Sequence, residues 1–147
     1  MTDNSDKIRS IVLAALMVFS VFAGTVAFAG TAAAADSISS TTVTPDTAET
    51  GAEVTHTFEY TIDNHVADDT SGYQTTLVVP DGYNVESIGS ATVTDSTDAD
   101  LGASATASDG NIVVEYNQPN QQGAVDVTIE ATFNAPNTIG DYTFQAS

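Results

Sequence analysis

The segment AVDVTIEATF, residues 124–133, places Val125, Val127, Ile129, Ala131 and Phe133 between Asp126, Thr128, Glu130 and Thr132. Apolar and polar side chains that alternate at every residue cannot form one stripe of a helix. They form a strand with one face buried and the other wet. VTHTFEYTI repeats the pattern, with Val54, His56, Phe58, Tyr60 and Ile62 on one face. YQTTLVV (73–79), NIVVEYN (111–117) and DYTFQAS (141–147) follow it, and a first strand is expected from Ile38 to Thr44. YNVESIGSATVT (83–94) alternates less cleanly, which marks Gly89 as a candidate bulge. The prolines, at positions 45, 80, 119 and 136, fall where strands should end, and Asp81-Gly82 and Asp109-Gly110 are turn signals.

No helical stripe interrupts this region. About seven short strands at such spacing predict an all-β fold, an immunoglobulin-like antiparallel β-sandwich. APNTIGDYTF resembles the corner late in many immunoglobulin-like surface modules, where a Gly-x-Tyr-x-Phe run opens the penultimate strand. Here the run is Gly140, Tyr142 and Phe144. By that resemblance the closing strand is either absent or supplied by residues near 103–107.

Charge divides the chain sharply. Lys7 and Arg9 are its two cations, against twenty acids; setting aside Asp3 and Asp6 leaves eighteen acids and no cation in residues 36–147. A surface of that sign repels nucleic acid and anionic membranes. It also strains the compact state through self-repulsion, except in strong salt, where at roughly 1 M the Debye length is only about 3 Å. Brine is therefore the expected solvent.

Residues 1–35 read as a secretory signal: a polar start, an uncharged apolar run from Ile11 to Gly30, and the small residues TAAAA before Asp36. An N-terminal signal helix is expected, cleaved after Ala34 or Ala35, so that residues 36–147 form the mature domain and touch a membrane only before cleavage. About 20 residues at 1.5 Å each would also just cross a bilayer as a retained anchor. Cysteine is absent, so no disulfide can help hold the domain together. KIRSIVLAALMVFSVFAGTVAFAGTAAAA resembles the signal peptide of haloarchaeal major cell-surface (S-layer) glycoproteins. The resemblance covers residues 7–35 and implies a haloarchaeal source and export to the cell surface. No Asn-x-Ser/Thr sequon occurs in the chain.

Chemistry is sparse after residue 36. Lys, Arg and Cys are missing, as are the G-x-S-x-G, P-loop and H-E-x-x-H motifs. His56 lies on the apolar face of its strand and is expected to pack there. His65 is expected in a loop beside Asp63, Asp68 and Asp69. That group, and Asp95, Asp98 and Asp100 in DSTDAD, are the candidate metal ligands, since clustered carboxylates in loops suit Ca²⁺. Neither has the spacing of a known calcium loop, and a solvated acidic surface is the simpler account of both. The aromatic residues after position 36 fall mostly on inward positions and read as core before they read as a sugar platform.

The expected function is an exported structural or interaction module of the envelope, S-layer-like or adhesin-like and not an enzyme. It would contact other envelope proteins, copies of itself or divalent cations. A secreted Ca²⁺- or carbohydrate-binding domain is the alternative, with an extracellular hydrolase a distant third. The chain is read either as a small secreted protein or as the first module of something longer.

Overall fold

The computed structural model describes residues 23–30, 37–65, 72–119 and 122–147. Among them ten strands and no helix are formed: β1 (Ala23–Gly30), β2 (Ser37–Thr44), β3 (Thr47–Glu49), β4 (Glu53–His65), β5 (Tyr73–Val78), β6 (Asn84–Asp95), β7 (Ser104–Ser108), β8 (Asn111–Tyr116), β9 (Gly123–Asn134) and β10 (Tyr142–Ala146). They form two sheets, one in the order β2-β4-β9-β6 and the other in the order β3-β1-β10-β5-β8-β7. The molecule is the all-β sandwich expected, with ten strands among the described residues where about seven were expected and one parallel pair, β1 with β10.

The two longest alternating runs lie side by side at the centre of the four-stranded sheet. β4 and β9 are antiparallel in register from Glu53↔Asn134 to Ile62↔Val125. Their inward residues, His56, Phe58, Tyr60, Ile62, Val125, Val127, Ile129, Ala131 and Phe133, are all buried. From the facing sheet come Leu77, Ile112, Val114, Tyr116, Phe144 and Ala146, buried likewise. Phe144 packs on Phe58 with ring centroids 4.8 Å apart and on Phe133 at 5.4 Å, the tilted and edge-on arrangements that aromatic quadrupoles favour.

β6 alternates poorly because two irregularities break its register with β9. One lies between Val85 and Ser87 and the other between Ile88 and Ser90, the second at Gly89 as expected. Gly89 also leaves room that a side chain would take, since a Cβ there would stand 2.8 Å from Glu130 Oε1. A cis Thr44–Pro45 peptide lies between β2, in one sheet, and β3, in the other.

Two expectations need revision. Ala23–Gly30, assigned to the apolar leader and so to a helix, is a strand lying between β3 and β10. Gly24, Gly30 and the β-branched Thr25 and Val26 weaken a helix here, while the neighbouring strands offer a hydrogen-bonding edge on either side. Ser104–Ser108 does not take the closing position beside β10; it pairs with β8 at the far edge of the sheet. The expected signal helix before Ala23 and the cleavage-site residues Ala34, Ala35 and Asp36 lie outside the described residues.

Candidate functional site

The DSTDAD loop follows β6, and its first carboxylate is committed to the loop itself. Asp95 is buried, and its Oδ1 accepts from the Thr97 amide at 2.8 Å, the Thr97 hydroxyl at 2.6 Å and the Ala99 amide at 3.2 Å. The Asp95 amide donates to the Ala99 carbonyl at 3.0 Å, closing the turn from the backbone side. Asp98 takes a left-handed backbone conformation, φ 61°, which Asp tolerates better than most residues. Asp100 Oδ1 accepts from the Gly102 amide at 2.8 Å. Asp95 and Asp100 thus serve as local turn acceptors. Among the described residues no three His, Cys, Asp or Glu side chains converge as a metal site would require.

The other acidic group divides. Asp63 is half-buried on β4, its Cα partner Ser37 on β2, while Asp68 and Asp69 lie outside the described residues. His65 is not in a loop: it ends β4, opposite Gly123, with only 5% of its surface exposed. β4 shifts register after Ile62 and runs on. The His65 ring stands edge-on to Tyr73 at 4.6 Å, and Tyr73 lies nearly parallel to Tyr116 at 5.9 Å. Aromatic packing, which spacing in the sequence does not reveal, explains its burial.

Beside these rings an open cleft of about 340 Å³ is lined by Tyr73, Gln74, Ser104, Glu115, Tyr116 and Asn117. Gly102 lies in its wall with φ +67°, where a Cβ would stand 2.9 Å from Asn117 Nδ2. The lining mixes amides and one carboxylate with the edges of two tyrosines. It therefore lacks the carboxylate pair that glycoside hydrolysis needs. Sequence reasoning missed this cleft because β5, β7 and β8 bring its residues together only through sheet order.

The second histidine has a structural role. His56 is wholly buried, its ring centroid 5.8 Å from Phe58, 5.9 Å from Phe133, 6.1 Å from Phe144 and 6.2 Å from Tyr83. Its Nδ1–H donates to the Pro45 carbonyl at 2.7 Å. Burial away from water disfavours the imidazolium and lowers the pKa below the usual 6.5, with the Pro45 hydrogen bond opposing in part.

No known family model matches the chain. A short N-terminal part is similar to cell surface glycoproteins of haloarchaea. It is 72% identical over 39 residues to cell surface glycoprotein 2 of Haloarcula hispanica, and 69% identical over 39 residues to cell surface glycoprotein 1 of the same organism. Against the cell surface glycoprotein of Haloferax gibbonsii it is 61% identical over 51 residues. These matches take in 26% to 35% of this chain and only 4% to 6% of the relatives' length. The likeness supports a cell-surface location for this protein.

Proposed function

We propose that residues 36–147 form a structural and interaction module of a haloarchaeal surface coat, S-layer-like or adhesin-like, delivered by a leader that is removed after Ala34 or Ala35. The observation that carries this reading is the N-terminal likeness to haloarchaeal cell surface glycoproteins. The rest of the molecule agrees with a mechanical role. A sandwich packed without disulfides presents an acid-only exterior that stays hydrated in brine, and contacts with other envelope proteins, or with copies of itself, run along sheet edges.

Intact mass spectrometry of the native protein from envelope and medium tests it. A species beginning at Ala35 or Asp36 in the envelope fraction is expected. Recovery from the cytosol, or only as a free species in the medium, would sink it. The cleft beside Tyr73 and Tyr116 favours carbohydrate binding as the second reading, since amide and carboxylate groups around aromatic rings suit sugar hydroxyls. Glycan-array binding abolished by Asn117→Ala would support that reading over the purely mechanical one.

A further inference from the structure

The position of β1 carries an inference beyond this role. It pairs with β10 in parallel over Val26↔Tyr142, Ala27↔Thr143, Phe28↔Phe144, Ala29↔Gln145 and Gly30↔Ala146. On its other flank it is antiparallel to β3, from Ala23↔Glu49 to Thr25↔Thr47. β10 has register partners on β5 only at Gln145 and Ala146, extended by reciprocal backbone bonds between Ser147 and Thr76. Most of β10 is therefore completed by β1. Yet the leader reading sets residues 23–30 on the removed side of the cleavage point. Removing them would leave the amides and carbonyls on that edge of β10 without partners and open the sheet at the buried Phe144, Ala146 and Ala48.

The register also defines what the groove accepts. Val26, Phe28 and Gly30 are the register partners of Tyr142, Phe144 and Ala146, and Phe144 and Ala146 are buried, so a strand with apolar residues at these alternate positions matches the edge it meets. Apart from Glu49, the paired positions of β3 and β10 carry no charge. The surrounding domain is acid-only, so an acidic strand would be repelled. The paired positions of β10 carry no charge to meet a charged side chain of either sign, which leaves an uncharged strand as the match. Strand addition into such a gap obtains affinity from main-chain hydrogen bonds and specificity from alternate side chains.

We propose that the gap between β3 and β10 is a strand-acceptor groove, filled by Ala23–Gly30 in the unprocessed chain and, after processing, by an uncharged, alternately apolar strand from a neighbouring surface polypeptide. The processing step rests on the surface-module reading; the groove itself does not. Cross-linking of the purified full chain in molar NaCl reports on the groove and envelope fractionation on location, so the two failures are distinguishable.

The chain has no cysteine, which makes the register directly testable. An Ala29→Cys/Gln145→Cys variant should form an intrachain disulfide under mild oxidation, because register partners lie within disulfide reach. A second variant, Val26→Asp/Phe28→Asp/Gln145→Cys, should release β1. It should then capture in trans a peptide of sequence AGTVAFAG carrying Ala29→Cys, at least roughly tenfold more efficiently than the same peptide with Val26→Asp/Phe28→Asp. If the released variant is unfolded alone, the uncharged peptide should restore its strand circular-dichroism signal. Failure of the intrachain disulfide, capture indifferent to peptide charge, a peptide that restores nothing, or disulfide-linked dimers formed in preference to peptide capture would each overturn the proposal.

Discussion

The imidazole of His56, on β4, holds the carbonyl of Pro45, in the passage from β2 to β3, at 2.7 Å from Nδ1, while its Nε2 is buried with no hydrogen-bond partner. A carbonyl can only accept, so Nδ1 carries a proton, and a second proton on Nε2 would be buried without an acceptor, which favours the neutral ring. The folded pKa lies below 6.5 because burial penalises the cation. Below pH 6.5 the unfolded chain therefore binds a proton that the folded chain refuses. The contribution of His56 is complete above 6.5 and falls as the pH drops toward the lowered folded value. Melting in molar NaCl should weaken from pH 7 to pH 5, and His56→Gln should flatten that slope while lowering stability at pH 7. An unchanged slope would show that another group governs it.

Tyr142 closes the turn that enters β10. Its hydroxyl donates to the Thr138 carbonyl at 2.9 Å and lies 2.7 Å from the Thr138 hydroxyl. Such a corner bond has a net worth of about 1 kcal/mol, so Tyr142→Phe should lower the melting temperature by about 4 °C. Thermal melts of the two proteins side by side check this.

How much of this was legible beforehand depends on what each feature needs. β4 and β9 declare themselves because one face is wholly buried and one is wet, which writes a period of two into the residue types. β6 is blurred because its two register shifts each move an apolar residue out of phase, and only Gly89 betrayed one of them. β1 could not be read, since AGTVAFAG serves equally well as leader and as strand, and the choice depends on its pairing with β3 and with β10, the latter more than a hundred residues away. Asp95 looked like one acid in a cluster. Its role as a triple acceptor depends on the turn geometry of Thr97 and Ala99, which composition does not encode.

That role yields a sharp expectation. Asp95→Ala removes an acceptor used by three donors and leaves two backbone amides to find water, a loss of about 2 to 3 kcal/mol. Because the carboxylate serves the turn, the loss should be equal in EDTA and in millimolar CaCl₂. Denaturant unfolding under both conditions measures it. A wild-type protein stabilised by calcium, with Asp95→Ala no longer responding, would instead make this loop a cation site.

Salt should control the stability of the whole domain. Residues 36–147 carry eighteen acids, the chain's twenty less Asp3 and Asp6, and no Lys or Arg to pair with them. Carboxylates even fall on adjacent strands of one sheet, Glu59 on β4 and Asp126 on β9 among them. Shortening the Debye length from about 30 Å at 0.01 M to about 3 Å at 1 M removes most of the repulsion between such surface charges. The unfolded chain is more expanded and gains less from the same screening. Dilution from molar to millimolar NaCl should therefore lower the melting temperature steeply and unfold the domain near room temperature. If general screening is the cause, KCl should substitute for NaCl at equal ionic strength. A melting temperature that stays constant across that range would mean that the buried aromatic cluster around Phe144 outweighs the repulsion unaided, and that the acidity is not an adaptation to brine.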